Sequence, residues 1–257
     1  MSRRADWPYP RFFAHRGGGM QAPENTLAAM KAGFAAGYTA VEFDVQLSRD
    51  GVAVLMHDDT LERTSNGHGM LNDHAFADLA LLDAGVWFGQ AFQGEPIARF
   101  DSVAGYLQSV GMAANVEIKP PAGHELAQGA VIARLCAELW GQAIPAPLVS
   151  SFSAEALRAA WRAAPMLTFG VLAERPDAGH FALVEELGAI SLHCHYSHID
   201  ARTVARLHEQ DVRALCYTVN DPERAHELFA IGVDGVFTDR LDEMARAFPE
   251  DFPARKA

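Results

Sequence analysis

Residues 39–45, Thr-Ala-Val-Glu-Phe-Asp-Val, alternate branched or aromatic residues with carboxylates. That period-two pattern predicts a strand, and it sends Glu42 and Asp44 out of the same face. Two carboxylates so placed repel each other unless a cation lies between them. A second apolar run, 52–56, begins just six residues on, too few for the crossover that parallel strands need, so the pair reads as a hairpin. Asp50-Gly51 is a favoured type I′ turn dipeptide. With that dipeptide at the tip, Arg49 faces Val52, paired residue numbers sum to 101, and His57 lies opposite Asp44. With Arg49-Asp50 at the tip the sum is 99 and His57 faces Glu42. Either register puts an imidazole roughly 5 Å at Cβ from a carboxylate.

The same reading carried along the chain gives a repeating pattern. A short apolar entry, 11–14, ends at His15-Arg16-Gly17-Gly18-Gly19, which reads as a tight turn rather than a nucleotide loop. Pro23-Glu24-Asn25-Thr26 opens a helix with Asn25 or Thr26 as cap, and capping is preferred to site contact for Glu24 and Asn25. Leu27, Met30 and Phe34 then keep helical spacing up to Gly37. Residues 58–100 break the rhythm and read as an insertion of short helices and loops. Its Trp87, Phe88 and Phe92 either pack the insertion down or form a lip over the site. From Phe100 onward helices and strands alternate, with strands at 113–119, 148–152, 168–173, 189–194, 212–219 and 234–238. Counting those ending near His15 and Asp44, eight parallel strands separated by helices predict one TIM (β/α)8 barrel domain over 1–257, with a doubly wound open sheet as the alternative.

Composition changes this picture little but excludes partners. The chain is 49% hydrophobic and carries a net charge of −12, so no basic stripe is available for a phosphate polymer and nucleic acid is not an expected partner. Neither a secretory leader nor a membrane span is legible, so no stable membrane insertion and a cytoplasmic location are expected. Cys136, Cys194 and Cys216 lack CxxC spacing and suit buried, reduced thiols. In His193-Cys194-His195, alternation turns the histidines to one face and the cysteine to the other. A zinc site is therefore not expected, and His193 is left free to line a pocket.

Barrel chemistry gathers at the carboxyl ends of the strands. There lie His15 and Arg16, then Glu42 and Asp44 with His57, then Glu117 and Lys119, again two apart on one face. Glu42, Asp44 and Glu117 make an oxygen site for Mg²⁺ or Ca²⁺ rather than zinc. His15 and His57 beside such a cation can serve as acid and base, while Arg16 and Lys119 offer charge to phosphate oxygens. The chemistry implied is phosphodiester cleavage.

His15-Arg16-Gly17, Pro23-Glu24-Asn25-Thr26, Glu42-Phe43-Asp44, Asp50-Gly51, His57-Asp58, Glu62-Arg63-Thr64, Glu117-Ile118-Lys119, Tyr217-Thr218-Val219-Asn220 and Thr238-Asp239 together resemble the glycerophosphodiester phosphodiesterase family, its cytosolic bacterial members above all. The resemblance implies a phospholipase C-like TIM barrel with an insertion after the second strand. It also implies a divalent cation and release of sn-glycerol 3-phosphate and an alcohol from small glycerophosphodiesters. It assigns metal ligation to Glu42, Asp44 and Glu117, acid/base work to His15 and His57, and phosphate binding to Arg16 and Lys119. Tyr217 stands where many members have Trp and is expected to touch the substrate. Two rivals remain: a lysophospholipase D, which needs an apolar lip, and a non-catalytic phosphodiester-binding protein, which needs a broken histidine pair.

Overall fold

The computed structural model describes residues 7–141, 143 and 145–252. The extreme N-terminus read above for a leader, residues 1–6, lies outside them. In chain order the elements are β1 (Phe12–Ala14), α1 (Leu27–Ala35), β2 (Ala40–Leu47), β3 (Ala53–Leu55), α2 (Phe76–Leu79), α3 (Phe100–Val110), β4 (Ala113–Ile118) and α4 (Glu125–Trp140). They continue as β5 (Leu148–Ser151), α5 (Ala154–Ala163), β6 (Thr168–Ala173), α6 (Ala178–Leu187), β7 (Ser191–His195), α7 (Ala201–Glu209), β8 (Arg213–Tyr217), α8 (Pro222–Ala230), β9 (Gly235–Thr238) and α9 (Leu241–Ala247). β1 pairs in parallel with β9 at Phe13↔Phe237 and with β2 at Ala14↔Val41, so the sheet meets itself. Eight parallel strands with helices outside form a closed TIM barrel, and the open-sheet alternative is excluded.

Alternation sorts β2 into two environments. Val41, Phe43 and Val45 face outward into the layer between sheet and helices, where the Phe43 and Phe100 rings lie 6.1 Å apart. Burying a phenyl ring of this kind contributes about 2–3 kcal/mol. The other face looks into the barrel. Below the site the interior is plugged by Tyr9, Phe13, Ala40, Ala113, Leu148, Leu215 and Phe237, an apolar floor that leaves the carboxyl ends open. The insertion has a small core of its own, including Val54, Leu61, Leu71, Leu79 and Ile97, which holds it against β3.

The hairpin register differs from expectation. Val45, Gln46 and Leu47 pair with Leu55, Val54 and Ala53, so residue numbers sum to 100, a parity that neither predicted turn gives. Three residues turn the corner, with Gly51 at φ +81 and its N–H bonded to the Ser48 carbonyl at 2.9 Å. Ser48 supplies the reason. Its Oγ accepts from the Val52 N–H (2.9 Å) and donates to Asp50 Oδ1 (2.7 Å), while the same carboxylate oxygen accepts from the Phe76 N–H (2.8 Å). Asp50 is thus tied to the insertion, and the wider loop with a left-handed glycine is favoured over the two-residue turn.

Candidate active site

β2 and β4 run in register with Asp44 beside Glu117 and Glu42 beside Asn115, so the expected alternation delivers three carboxylates to the mouth of the barrel. Glu42, Asp44 and Glu117 are all buried, with ligand oxygens within 4.8 Å of one another. Burial, with Asp44 and Glu117 alongside, pushes the Glu42 carboxyl well above its ordinary range. Burial and Asp44 likewise push Glu117 up to about 7. At Asp44 burial acts in the same direction, but the charges of Arg16, Lys119 and His57 and the Asn25 amide outweigh it and hold the group low. Three buried carboxylate groups at this spacing fit a hard divalent cation, which would relieve a repulsion the protein's own cations offset incompletely.

The turn after β1 places the first cation. Arg16 adopts a left-handed backbone, φ +49, between His15 and Gly17 (φ +89), a conformation that costs a residue with a Cβ about 1–2 kcal/mol. It is held there because the Arg16 N–H donates to Glu42 Oε2 (3.1 Å) and its carbonyl accepts from the Asn25 N–H (3.0 Å). Thr26 caps α1, accepting from the Ala29 N–H at 3.1 Å. Asn25 does not cap, contrary to the reading from sequence. Its Nδ2 donates to Asp44 Oδ2 (2.8 Å) and its Oδ1 accepts from the Asp44 N–H (3.1 Å), so it positions a carboxylate of the trio. Glu24 does not cap either: it accepts from Arg16 at 2.6 Å. Sequence spacing favoured the local cap because the partners, Asp44 on β2 and Arg16 in the turn after β1, lie outside the segment that opens the helix.

His57 reaches the site by a route the sequence did not reveal. Continued in the observed register, it would face Phe43 and point outward. The Met56 N–H still keeps that register, donating to the Asp44 carbonyl (3.1 Å), and the chain leaves the pleat just after it, where Gln46 Nε2 donates to the carbonyls of Met56 (3.1 Å) and Asp58 (2.8 Å). Gln46 follows Glu42 and Asp44 at the same two-residue step, so alternation could have found it. His57 Nε2 lies 2.7 Å from Lys119 Nζ, and Nδ1 lies 2.6 Å from Asp58 Oδ1. An ammonium group can only donate, so His57 accepts at Nε2 and carries its proton on Nδ1, toward Asp58. Burial lowers the His57 pKa, and Arg16 and Lys119 add to that against the pull of Asp44. Lys119 also sits 3.4 Å from Glu117 and 3.7 Å from Asp44.

His15 is oriented in the same way. Its Nδ1 lies 2.7 Å from Asp239 Oδ1, and its Nε2 lies 3.8 Å from Glu42 Oε2. Asp239 is fixed in turn by Asn220, whose amide donates to Oδ2 (2.9 Å) and whose Oδ1 accepts from the Asp239 N–H (2.7 Å). A third support comes from the insertion. Arg63 donates to Asp58 Oδ2 (2.5 Å) and Oδ1 (2.9 Å), and to Glu24 Oε2 (2.7 Å) and Oε1 (2.8 Å). One guanidinium thereby fixes the carboxylate behind His57 and the carboxylate behind Arg16. The sequence reading missed these roles of Asp58, Arg63, Asn220 and Asp239. The His57-Asp58 adjacency was a visible signal and Arg63 lies five positions on from Asp58, whereas His15 with Asp239 and Arg63 with Glu24 join distant parts of the chain.

These groups share a cavity of about 410 Å³ whose lining includes His15, Arg16, His57, Lys119 and the trio. Tyr217 also lines it, but its hydroxyl donates to the Ala173 carbonyl (3.0 Å), so it offers ring surface. His193 and His195 line the cavity, while Cys194 packs into the outer layer. Beside the cavity a groove runs along His15, Arg16, Met20, Glu24, Trp87 and Phe88. Trp87 and Phe88 therefore rim the site, whereas Phe92 stacks edge-on behind Phe88 with ring centres 5.3 Å apart. No helix among the described residues is long and apolar enough to cross a membrane.

Residues 15–243 match the glycerophosphoryl diester phosphodiesterase family. A glycerophosphodiester phosphodiesterase of Caldanaerobacter subterraneus subsp. tengcongensis is 35% identical over 228 residues, 88% of this chain and 92% of that one. Another, from Bacillus subtilis, is 30% identical over 249 residues, covering 89% and 83%. Among solved structures, an Oleispira antarctica phosphodiesterase in complex with the product sn-glycerol-3-phosphate aligns with a TM-score of 0.89 at 35% identity, over 96% of this chain and 99% of its own. Fold, site and relatives together define a barrel phosphodiesterase. The chain belongs to the glycerophosphoryl diester phosphodiesterase family and is an enzyme of that class, which removes the binding-only alternative.

Proposed function

We propose that the protein, as one catalytic domain, hydrolyses glycerophosphodiesters to sn-glycerol 3-phosphate and an alcohol, using a divalent cation and two histidines. The observation that carries this reading is the matched pair His15–Asp239 (2.7 Å) and His57–Asp58 (2.6 Å), both beside one acidic trio. Each carboxylate holds Nδ1 and turns Nε2 toward the cavity, where His57 Nε2 exchanges protons with the substrate once Lys119 turns from it to a phosphoryl oxygen. One Nε2 takes the proton of the attacking oxygen; the other protonates the departing one. Arg16 and Lys119 hold the phosphoryl oxygens and oppose the charge that builds on them. Glu42, Asp44 and Glu117 hold the cation, Mg²⁺ or Ca²⁺, which when bound adds further positive charge against the phosphoryl group.

The Caldanaerobacter and Bacillus enzymes are named for this substrate class, and the Oleispira neighbour holds this product. The free, buried cysteines Cys136, Cys194 and Cys216 suit a reducing compartment, and we assign the protein to the cytoplasm. Exposed Met20 (58%) and Trp87 (39%) along the groove favour a second reading, lysophospholipase D action on lysophospholipids. Product identification separates bond choices: glycerophosphocholine should give sn-glycerol 3-phosphate and choline, and release of phosphocholine and glycerol instead would contradict the assignment. Faster turnover of lysophosphatidylcholine than of glycerophosphocholine would favour the second reading.

A further inference from the structure

The charged groups of the cavity come from β1, β2, the segment after β3, and β4. The wall from β5 to β9 carries no carboxylate and no permanently charged group; it includes Phe152, Leu172, His193, Tyr217 and Phe237. Two polar side chains of the cavity, His193 on this wall and Asn115 on β4 where it meets β5, are buried and incompletely paired. His193 bonds Ser191 Oγ through Nε2 (2.8 Å), and its Nδ1 has no partner among the described residues. Asn115 donates to Ser150 Oγ through Nδ2 (2.9 Å), and its Oδ1 has none. Leaving a buried polar atom unpaired is costly, and barrel interiors ordinarily avoid it.

The surroundings are shaped to keep this arrangement. A Cβ at Gly170 would lie 2.7 Å from both His193 Nε2 and Ser191 Oγ, so glycine there leaves room for the pair. The Phe237 ring packs against the imidazole with centres 5.3 Å apart. Burial holds the imidazole neutral, its pKa pushed down to about 3.

We propose that His193 Nδ1 and Asn115 Oδ1 bind hydroxyl groups on the glycerol arm of the substrate, and so select diesters whose buried arm is a polyol. The proposal rests on the glycerophosphodiesterase reading and deepens it. A hydroxyl both donates and accepts, so it satisfies either tautomer of the imidazole and either orientation of the amide. A phosphate oxygen cannot donate to Oδ1, and an ammonium group cannot accept. Phe152 and Leu172 offer carbon surface for the methylenes. With the phosphoryl group at Arg16 and Lys119, the glycerol arm enters the barrel, and the leaving alcohol lies toward the Trp87 and Phe88 groove.

The test compares sn-glycero-3-phosphocholine with its analogue bearing hydrogen in place of the terminal hydroxyl. The analogue keeps the hydroxyl next to the phosphate, so chemistry that needs that neighbour is preserved. Wild-type kcat/KM should favour the glycerol compound by about 10²-fold, because losing a hydroxyl strands buried polar atoms. In His193→Leu and in Asn115→Ala, each checked for folding by its thermal transition, the ratio should fall toward unity. Calorimetric binding of sn-glycerol 3-phosphate and its deoxy counterpart to wild type should show the same preference without turnover. Equal wild-type rates on the two diesters, or a ratio unchanged in both variants, would overturn the inference and leave the activity intact. Hydrolysis of neither compound would instead overturn the functional reading.

Discussion

Arg63→Ala removes a side chain that touches neither trio nor cavity, yet should cost more in catalysis than in stability. The guanidinium makes four hydrogen bonds to Asp58 and Glu24, at 2.5, 2.9, 2.7 and 2.8 Å, and those carboxylates hold His57 and Arg16 at 2.6 Å each. The Arg63 side chain is 44% exposed, so water and salt screen the pairs, and the folding cost should be about 1 kcal/mol, or roughly 2–4 °C in Tm. Catalysis is less tolerant. Loss of a partner that orients a working residue costs about 10–100-fold, equivalent to about 1.4–2.7 kcal/mol in the barrier. With Asp58 free to rotate, His57 loses its fixed Nδ1 partner and kcat falls; with Glu24 loosened, Arg16 drifts and KM rises. Steady-state kinetics on glycerophosphocholine beside a thermal melt would measure both. Arg63→Lys, which keeps the charge but cannot fork to both carboxylates, should fall between, and added guanidinium should partly restore the alanine variant. Activity within twofold of wild type in a folded Arg63→Ala would refute the argument.

Other variants separate the remaining roles. His57→Ala should lower kcat by about 10²–10⁴ with calorimetric Mg²⁺ or Ca²⁺ binding preserved, whereas Glu117→Ala should lose that binding; equal loss in both would reverse the assignment. Phe43→Ala, on the outward face of β2, should lower unfolding free energy by about 3–5 kcal/mol in urea, and a cost below 1 would contradict that packing. His193, fully buried, stays neutral in the fold with a pKa of about 3 against 6.5 in the unfolded chain. Below pH 6.5 the unfolded chain therefore binds the extra proton, and stability is lost as pH falls. That term amounts to about 2 kcal/mol at pH 5. His193→Asn should flatten the decline between pH 8 and 5 by this amount, and parallel curves for the two proteins would exclude the burial argument.

Where a feature depends on local period, the sequence was legible. Eight strand-helix repeats give the barrel, and the alternation in 39–45 turns Glu42 and Asp44 inward while Phe43 packs outside. Where it depends on a contact from afar, local rules misled. Asp50-Gly51 looks like a two-residue turn until Asp50 accepts from Phe76, 26 positions on, and Asn25 looks like a cap until it pairs with Asp44 on β2. His57 was anticipated at the site for the wrong reason: the parity was off by one, and Gln46 redirects the chain. The Asp239 and Arg63 supports span 224 and 39 positions, beyond any periodicity, although each lies in a family motif.

On the proposed reading, one acidic trio, two histidines and the side chains of Arg16 and Lys119 form a metal-dependent glycerophosphodiesterase. Release of sn-glycerol 3-phosphate from glycerophosphocholine and glycerophosphoethanolamine by chelated protein, before and after adding Mg²⁺ or Ca²⁺, tests it most directly. Chelated protein should release negligible product and should act on both substrates once either cation is restored, the ratio of rates giving the preferred one. Full release with chelator present, or none with either cation, would contradict it.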